Sequence, residues 1–125
     1  MLGRAPRRLP ARVEGSARLE QALLSPGSVV CGEVIRSILG PGVVVEPGAA
    51  VRDAVLLDDC VVAAGARVER AVLDRGVRVG PGARVGRSDD DSEPALVGEE
   101  AHVPRGATVR PGGRLGRDGA REPAA

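Results

Sequence analysis

The phrase GARVERA at residues 65–71 returns as GARVGR at 82–87, seventeen residues on. A period of that size constrains the chain more than any other feature, because one such repeat cannot bury its own apolar face and must stack on copies of itself. Extending the alignment gives units at 13–29, 30–44, 45–61 and 62–78, a fifth at 79–87 that resumes at 95–102, and a sixth from 103. The spacings are 17, 15, 17, 17 and 24, the last being 17 plus the seven-residue insertion SDDDSEP at 88–94. Register survives both the deletion and the insertion.

Within each unit, short triplets alternate a small residue, any residue and an aliphatic one, as in Ala66-Arg67-Val68 and Ala71-Val72-Leu73. Successive side chains of a strand point to opposite faces, so this alternation predicts three short strands and three corners per unit. The first strand reads Ala17/Leu19, Gly32/Val34, Ala49/Val51, Ala66/Val68, Ala83/Val85 and Ala107/Val109 down the chain. The second reads Ala22/Leu24, Ser37/Leu39, Ala54/Leu56, Ala71/Leu73 and Ala95/Val97; the third reads Ser28/Val30, Val43/Val45, Cys60/Val62, Val77/Val79 and Ala101/Val103. Stacked at about 4.7–4.9 Å, such coils make three parallel sheets around a thin prism. The prism is too narrow for aromatic side chains, and the chain has none, while 18 Gly and 10 Pro supply the corners. The fold class expected is all-β, a single-stranded parallel β-helix of about five to six coils. The second unit lacks two residues between Cys31 and Gly32, which predicts a local distortion there.

Composition narrows function by exclusion. The net charge is +1 and no aromatic platform exists for stacking bases, so nucleic acid is not an expected partner. All 18 basic residues are Arg, which reads as genome composition rather than guanidinium chemistry. Two Cys make no disulfide framework, the opening MLGRAPRRLPARV lacks the apolar run of a signal peptide, and no segment is long and apolar enough to span a bilayer as a helix. A soluble cytoplasmic protein with no membrane partner is expected.

The hexads VEPGAA and VGPGAR resemble the hexapeptide repeat of left-handed parallel β-helices, and the left hand is implied by that resemblance alone. The order LLSPGSVVCGEVIRSILGPGVVVEPGAAVRDAVLLDDCVV further resembles the C-terminal β-helix of the bacterial glucose-1-phosphate adenylyltransferase family, over about Pro10 to Val109. The two S/G-P-G corners, the short GEVxRS unit and VRDxVLLDD carry that match. The resemblance implies a domain of oligomerisation and allosteric support in ADP-glucose formation and glycogen biosynthesis. It also implies a preceding nucleotidyltransferase domain, but the residues before Pro10 hold neither its Gly-rich loop nor its metal-binding carboxylates, so no catalytic residue carries over. Residues 1–12 then read as linker-like, 13–111 as the β-helix with its acidic insertion, and 112–125 as a disordered tail. The function expected is a non-catalytic module without cofactor or metal. Two alternatives stand beside it: a stand-alone hexapeptide-repeat acyltransferase, and a fragment of a longer nucleotidyltransferase.

Candidate residues follow from the columns. His102 is the only His and would be the general base of an acyltransferase, but it falls in the outward column of Val29, Val44, Val61 and Arg78, where a solvated side chain is expected. A single His does not make a three-imidazole zinc site. Cys60 falls in an inward small-residue column and reads as packing, whereas Cys31 points outward beside a corner without an accompanying base. The three Asp of the insertion read as a solvated loop. Arg67 and Arg84, stacked in the outward column of Arg18, Glu33, Ala50 and Thr108, are candidates for anion binding. The most informative column is the outward one on the second strand: Leu23, Ile38, Val55, Val72 and Leu96, flanked by Leu57. An aliphatic stripe of that length is expected to be covered, by another copy in a homo-oligomer or by a nucleotidyltransferase domain or subunit.

Overall fold

The structure, a computed structural model, describes residues 10–15, 17–87, 93–116 and 121–122. The described residues form an all-β solenoid of about six turns, consistent with a left-handed β-helix, with three sheets of short strands and no helix. The first face stacks Arg18–Glu20, Glu33–Ile35, Ala50–Arg52, Arg67–Glu69, Arg84–Val85 and Thr108–Val109. The second stacks Leu23–Leu24, Ile38–Leu39, Val55–Leu56, Ala71–Leu73, Ala95–Val97 and Arg114–Leu115. The third stacks Arg12–Val13, Val29–Val30, Val44–Val45, Val61–Val62, Arg78–Val79 and His102–Val103. All of these pair in parallel, coil against next coil.

The register is the one the repeat predicts. Val34, Val51, Val68, Val85 and Val109 lie in file on the first face, and Leu39, Leu56, Leu73 and Val97 on the second. From Leu39 to Leu73 and from Val34 to Val85 these side chains are fully buried. Each such burial contributes roughly 1.5–3 kcal/mol, and the small residues beside them keep the prism thin. Two buried hydroxyls are satisfied within the wall. Ser37 Oγ donates to the Ile35 carbonyl at 2.8 Å and accepts from the Ala54 amide at 3.1 Å, while Ser28 Oγ donates to the Ser25 carbonyl at 2.7 Å.

Corners come in two kinds, a distinction that the alternation of apolar residues does not reveal. Between the first and second faces the chain turns on a single left-handed residue, Gln21, Arg36, Asp53 and Arg70 in successive coils, with φ of 51°, 47°, 51° and 48°. The other two corners take turns of the Pro-Gly type, with left-handed glycines such as Gly42, Gly48 and Gly65. The shortened corner is the expected distortion. Cys31 and Gly32 alone join two strands there, and a Cβ on Gly32 would collide with the Ala49 carbonyl oxygen and lie 2.8 Å from that of Glu46.

The insertion leaves the ladder at Gly86 (φ 71°), whose Cβ would overlap the Glu69 carbonyl oxygen. Residues 88–92 lie outside the described ones, and register resumes where the Ala95 amide donates to the Arg70 carbonyl at 3.1 Å.

The solenoid extends past both expected bounds of 13 and 111. Arg12 pairs with Val29, and Arg114–Leu115 adds a further rung because Leu115 completes the inward column and Gly112 (φ 73°) turns the corner before it. Of the tail read as disordered, residues 112–116 belong to the solenoid, and 121–122 pair antiparallel with Arg114–Leu115. The remainder, 117–120 and 123–125, lies outside the described residues.

Candidate functional site

The second face carries the feature most demanding of explanation. Leu23, Ile38, Val55, Val72 and Leu96 pair one to the next through five coils, with inward Leu24, Leu39, Leu56, Leu73 and Val97 beside them. Because side chains alternate across the strand, burying the second set forces the first set outward. Leu23 is 66% exposed, Ile38 46% and Leu96 38%, with Val55 and Val72 half-buried between them. Leu57, 37% exposed, flanks the stripe, and half-buried Val29, Val44 and Val61 form the outward column of the third face. The apolar surface is therefore continuous in register over the first coils and ends where Arg78, His102 and Arg114 replace the aliphatics.

The first face is polar. Arg18, Glu33, Ala50, Arg67, Arg84 and Thr108 occupy successive rungs, and Arg67 stands next to Arg84 with both exposed. At its N-terminal part the charges compensate one another. Glu33 accepts from Arg52 at 2.8 and 3.1 Å and lies 3.5 Å from Arg18. Arg18, Cys31, Glu33, Arg52 and Arg67 line an open cleft of about 560 Å³ at the shortened corner.

His102 is exposed, in register with Arg78. It borders an open cleft of about 590 Å³ together with Asp58, Asp59, Arg75 and Glu99, where Arg75 Nη2 donates to Glu99 at 2.7 Å. Cys60 is fully buried; burial pushes its thiol up to about 11, and Sγ lies 3.0 Å from the Asp74 carbonyl. Cys31 is half-buried and free. Among the described residues no cluster of three or more His, Cys, Asp or Glu could hold a metal ion, and no helix is long and apolar enough to cross a membrane. The three Asp of the insertion lie outside the described residues.

Stacked three-sided coils, small-residue columns and Pro-Gly corners define a hexapeptide-repeat β-helix. A family model for the C-terminal hexapeptide region of GlmU-like proteins matches residues 8–103, and the chain belongs to that family. It is also 44% identical over 43 residues to the glucose-1-phosphate adenylyltransferase of Streptomyces coelicolor, and 47% identical over 43 residues to that of Streptomyces avermitilis. Each match spans 34% of this chain and 11% of the relative. Among solved structures, a Desulfovibrio desulfuricans G20 protein provisionally described as an acetyltransferase superposes with a TM-score of 0.75. That match covers 87% of this chain and 25% of the other at 18% identity, a likeness of fold.

Proposed function

We propose that this chain is a non-catalytic β-helix module similar to the C-terminal domain of glucose-1-phosphate adenylyltransferase, serving oligomerisation and support of a nucleotidyltransferase in ADP-glucose formation for glycogen biosynthesis. The observation that carries the reading is the aliphatic file from Leu23 to Leu96, which a folded chain in water leaves uncovered only at a cost of about 25 cal/mol per Å². The match to two adenylyltransferases, 44% and 47% identical over 43 residues, supports the choice of enzyme class. A nucleotidyltransferase domain or subunit, or another copy, is the partner that this face would take. Arg67 and Arg84, exposed on adjacent rungs, are the basic pair best placed to meet an anionic effector of such an enzyme.

The test has two arms. Purified chain given ATP, glucose 1-phosphate and magnesium should release no pyrophosphate; turnover would refute the non-catalytic reading. Replacing Val55 and Val72 by Glu should lower the mass of the assembly measured by light scattering, and an unchanged mass would remove the interface.

A further inference from the structure

The charges of the first face are balanced on its early rungs and unbalanced on its late ones. Arg18 is bonded to Glu20 at 2.6 Å and Arg52 to Glu33 at 2.8 Å. Arg84, Arg105 and Arg110, on the last coils of that face, are exposed and enter no ion pair among the described residues. Arg84 and Thr108 are partners in register, on rungs about 4.8 Å apart. Burial of Val85 and Val109 turns both of them outward. Lower in the same column Arg18 and Glu33 hold the same relation, and there the two side chains close an ion pair at 3.5 Å. At the late rung a hydroxyl stands where that carboxylate stood. Ser28 and Ser37 are buried and Ser25 is half-buried, so Thr108 is the one exposed hydroxyl among the described residues.

We propose that Thr108 is a phosphorylation site and that Arg84, on the preceding rung, receives its phosphate. The surrounding sequence is Arg105-Gly106-Ala107-Thr108-Val109-Arg110, with basic residues three before and two after the hydroxyl. That charge pattern suits a serine/threonine protein kinase that reads arginine through carboxylates of its own. The kinase transfers the γ-phosphoryl group of ATP. The bond from phosphorus to Thr108 Oγ1 forms as the bond to the departing ADP oxygen breaks, and the hydroxyl proton passes to the kinase's base. The product carries about two negative charges, and its terminal oxygens lie as many bonds from Cα as those of a Glu side chain. The Arg18–Glu33 pair shows that a group of this reach meets the arginine one rung before it. A planar guanidinium holds a phosphate through two hydrogen bonds, with exposed Arg110 beside it as a further donor. Phosphate on Thr108 therefore supplies the countercharge that the late rungs lack, ties the last coil of the face to the one before it, and withdraws Arg84 from any other anion.

Phosphorylation of the whole folded chain tests it. Given ATP, magnesium and the catalytic subunit of an arginine-directed serine/threonine kinase, the chain should take up one phosphoryl group, located on Thr108 by tandem mass spectrometry. Thr108→Ala should take up none, Thr108→Ser should retain the uptake, and Arg105→Ala should slow it about tenfold or more. The seat is read by phosphorus-31 resonance. In the phosphorylated chain the phosphate should titrate below its ordinary second ionisation near 6, because Arg84 favours the dianion. A phosphopeptide of residues 103–111 keeps Arg105 and Arg110 but lacks Arg84, and it should titrate higher than the folded chain. Arg84→Gln should move the chain toward the peptide, and the peptide comparison alone decides if that variant fails to fold. A folded chain that takes no phosphate, or takes it only elsewhere, overturns the proposal. So does a titration equal to the peptide's. Neither pyrophosphate release nor the mass of the assembly bears on these results, so the site and the second-face stripe are read separately.

Discussion

Arg36 and Asp53 close a two-point ion pair between adjacent coils, Nε to Oδ1 at 2.7 Å and Nη2 to Oδ2 at 3.0 Å, and both turn their corner in the left-handed region. The pair ties two rungs together where the backbone is least comfortable. The hydrogen bond from Arg36 holds the Asp53 carboxyl below its usual range, against a smaller opposing effect of burial. A depressed carboxylate adds stability above its unfolded value near 4, and that stability is lost as pH falls through the lower folded value. Both side chains are partly exposed, so the contribution is at most about 1 kcal/mol. Asp53→Asn, which tolerates the same φ, should cost that much at neutral pH, with the difference closing in acid denaturation curves below pH 4. Asp53→Val should cost a further ~1–3 kcal/mol at every pH, since a branched side chain is strained there.

Gly32 should be irreplaceable at the short corner. Alanine would drive its Cβ into the Ala49 and Glu46 carbonyls, and urea unfolding should register a loss of about 1–3 kcal/mol. Gly82→Ala offers a comparison in which nothing lies within 4 Å of the added carbon and only the left-handed backbone opposes it, so its loss should be smaller.

Leu56 is fully buried at the middle of its file, whereas Leu23 on the same face is 66% exposed. Leu56→Ala should destabilise by about 2–5 kcal/mol in the same measurement. Leu23→Ala should change stability by no more than about 0.5 kcal/mol.

The two thiols should separate in a labelling experiment at neutral pH. Cys60 is buried, with its thiol raised to about 11, so in the native protein only Cys31 should react with a thiol reagent, and both should react in denaturant. A raised thiol stabilises the fold fully below its ordinary value of 9.0 and loses that effect as pH climbs through 11. Cys60→Ala should therefore flatten the alkaline limb of stability between those values.

Val55→Glu with Val72→Glu should lower the melting temperature by only a few degrees, the share lost with the association, because both side chains point away from the prism. A drop of more than about ten degrees in calorimetry would mean that these residues act within the coil rather than against a partner.

The rungs were legible in the sequence because a prism of this width enforces one rule at every coil. A residue two positions from another must face the same way, and it must match its counterpart a full coil later. Ala66/Val68 and Ala83/Val85 obey that rule, and so the in-and-out order of Leu23 through Leu96 could be read directly. The single-residue corners were not legible, since Gln21, Arg36, Asp53 and Arg70 share a backbone angle but no one residue type. Nor was the far boundary. PGGRLG resembles a frayed tail until Leu115 is recognised as the last member of its column. The ionic partners of Glu33 and Asp53 depend on side-chain reach between coils, which a repeat pattern does not encode.

A chain that steps out at Gly86 and returns at Ala95 without slipping a rung shows how little the ladder depends on what is strung between its edges. That corner behaves as a socket. Segments grafted between those two residues would leave and rejoin a stiff rod at one fixed height.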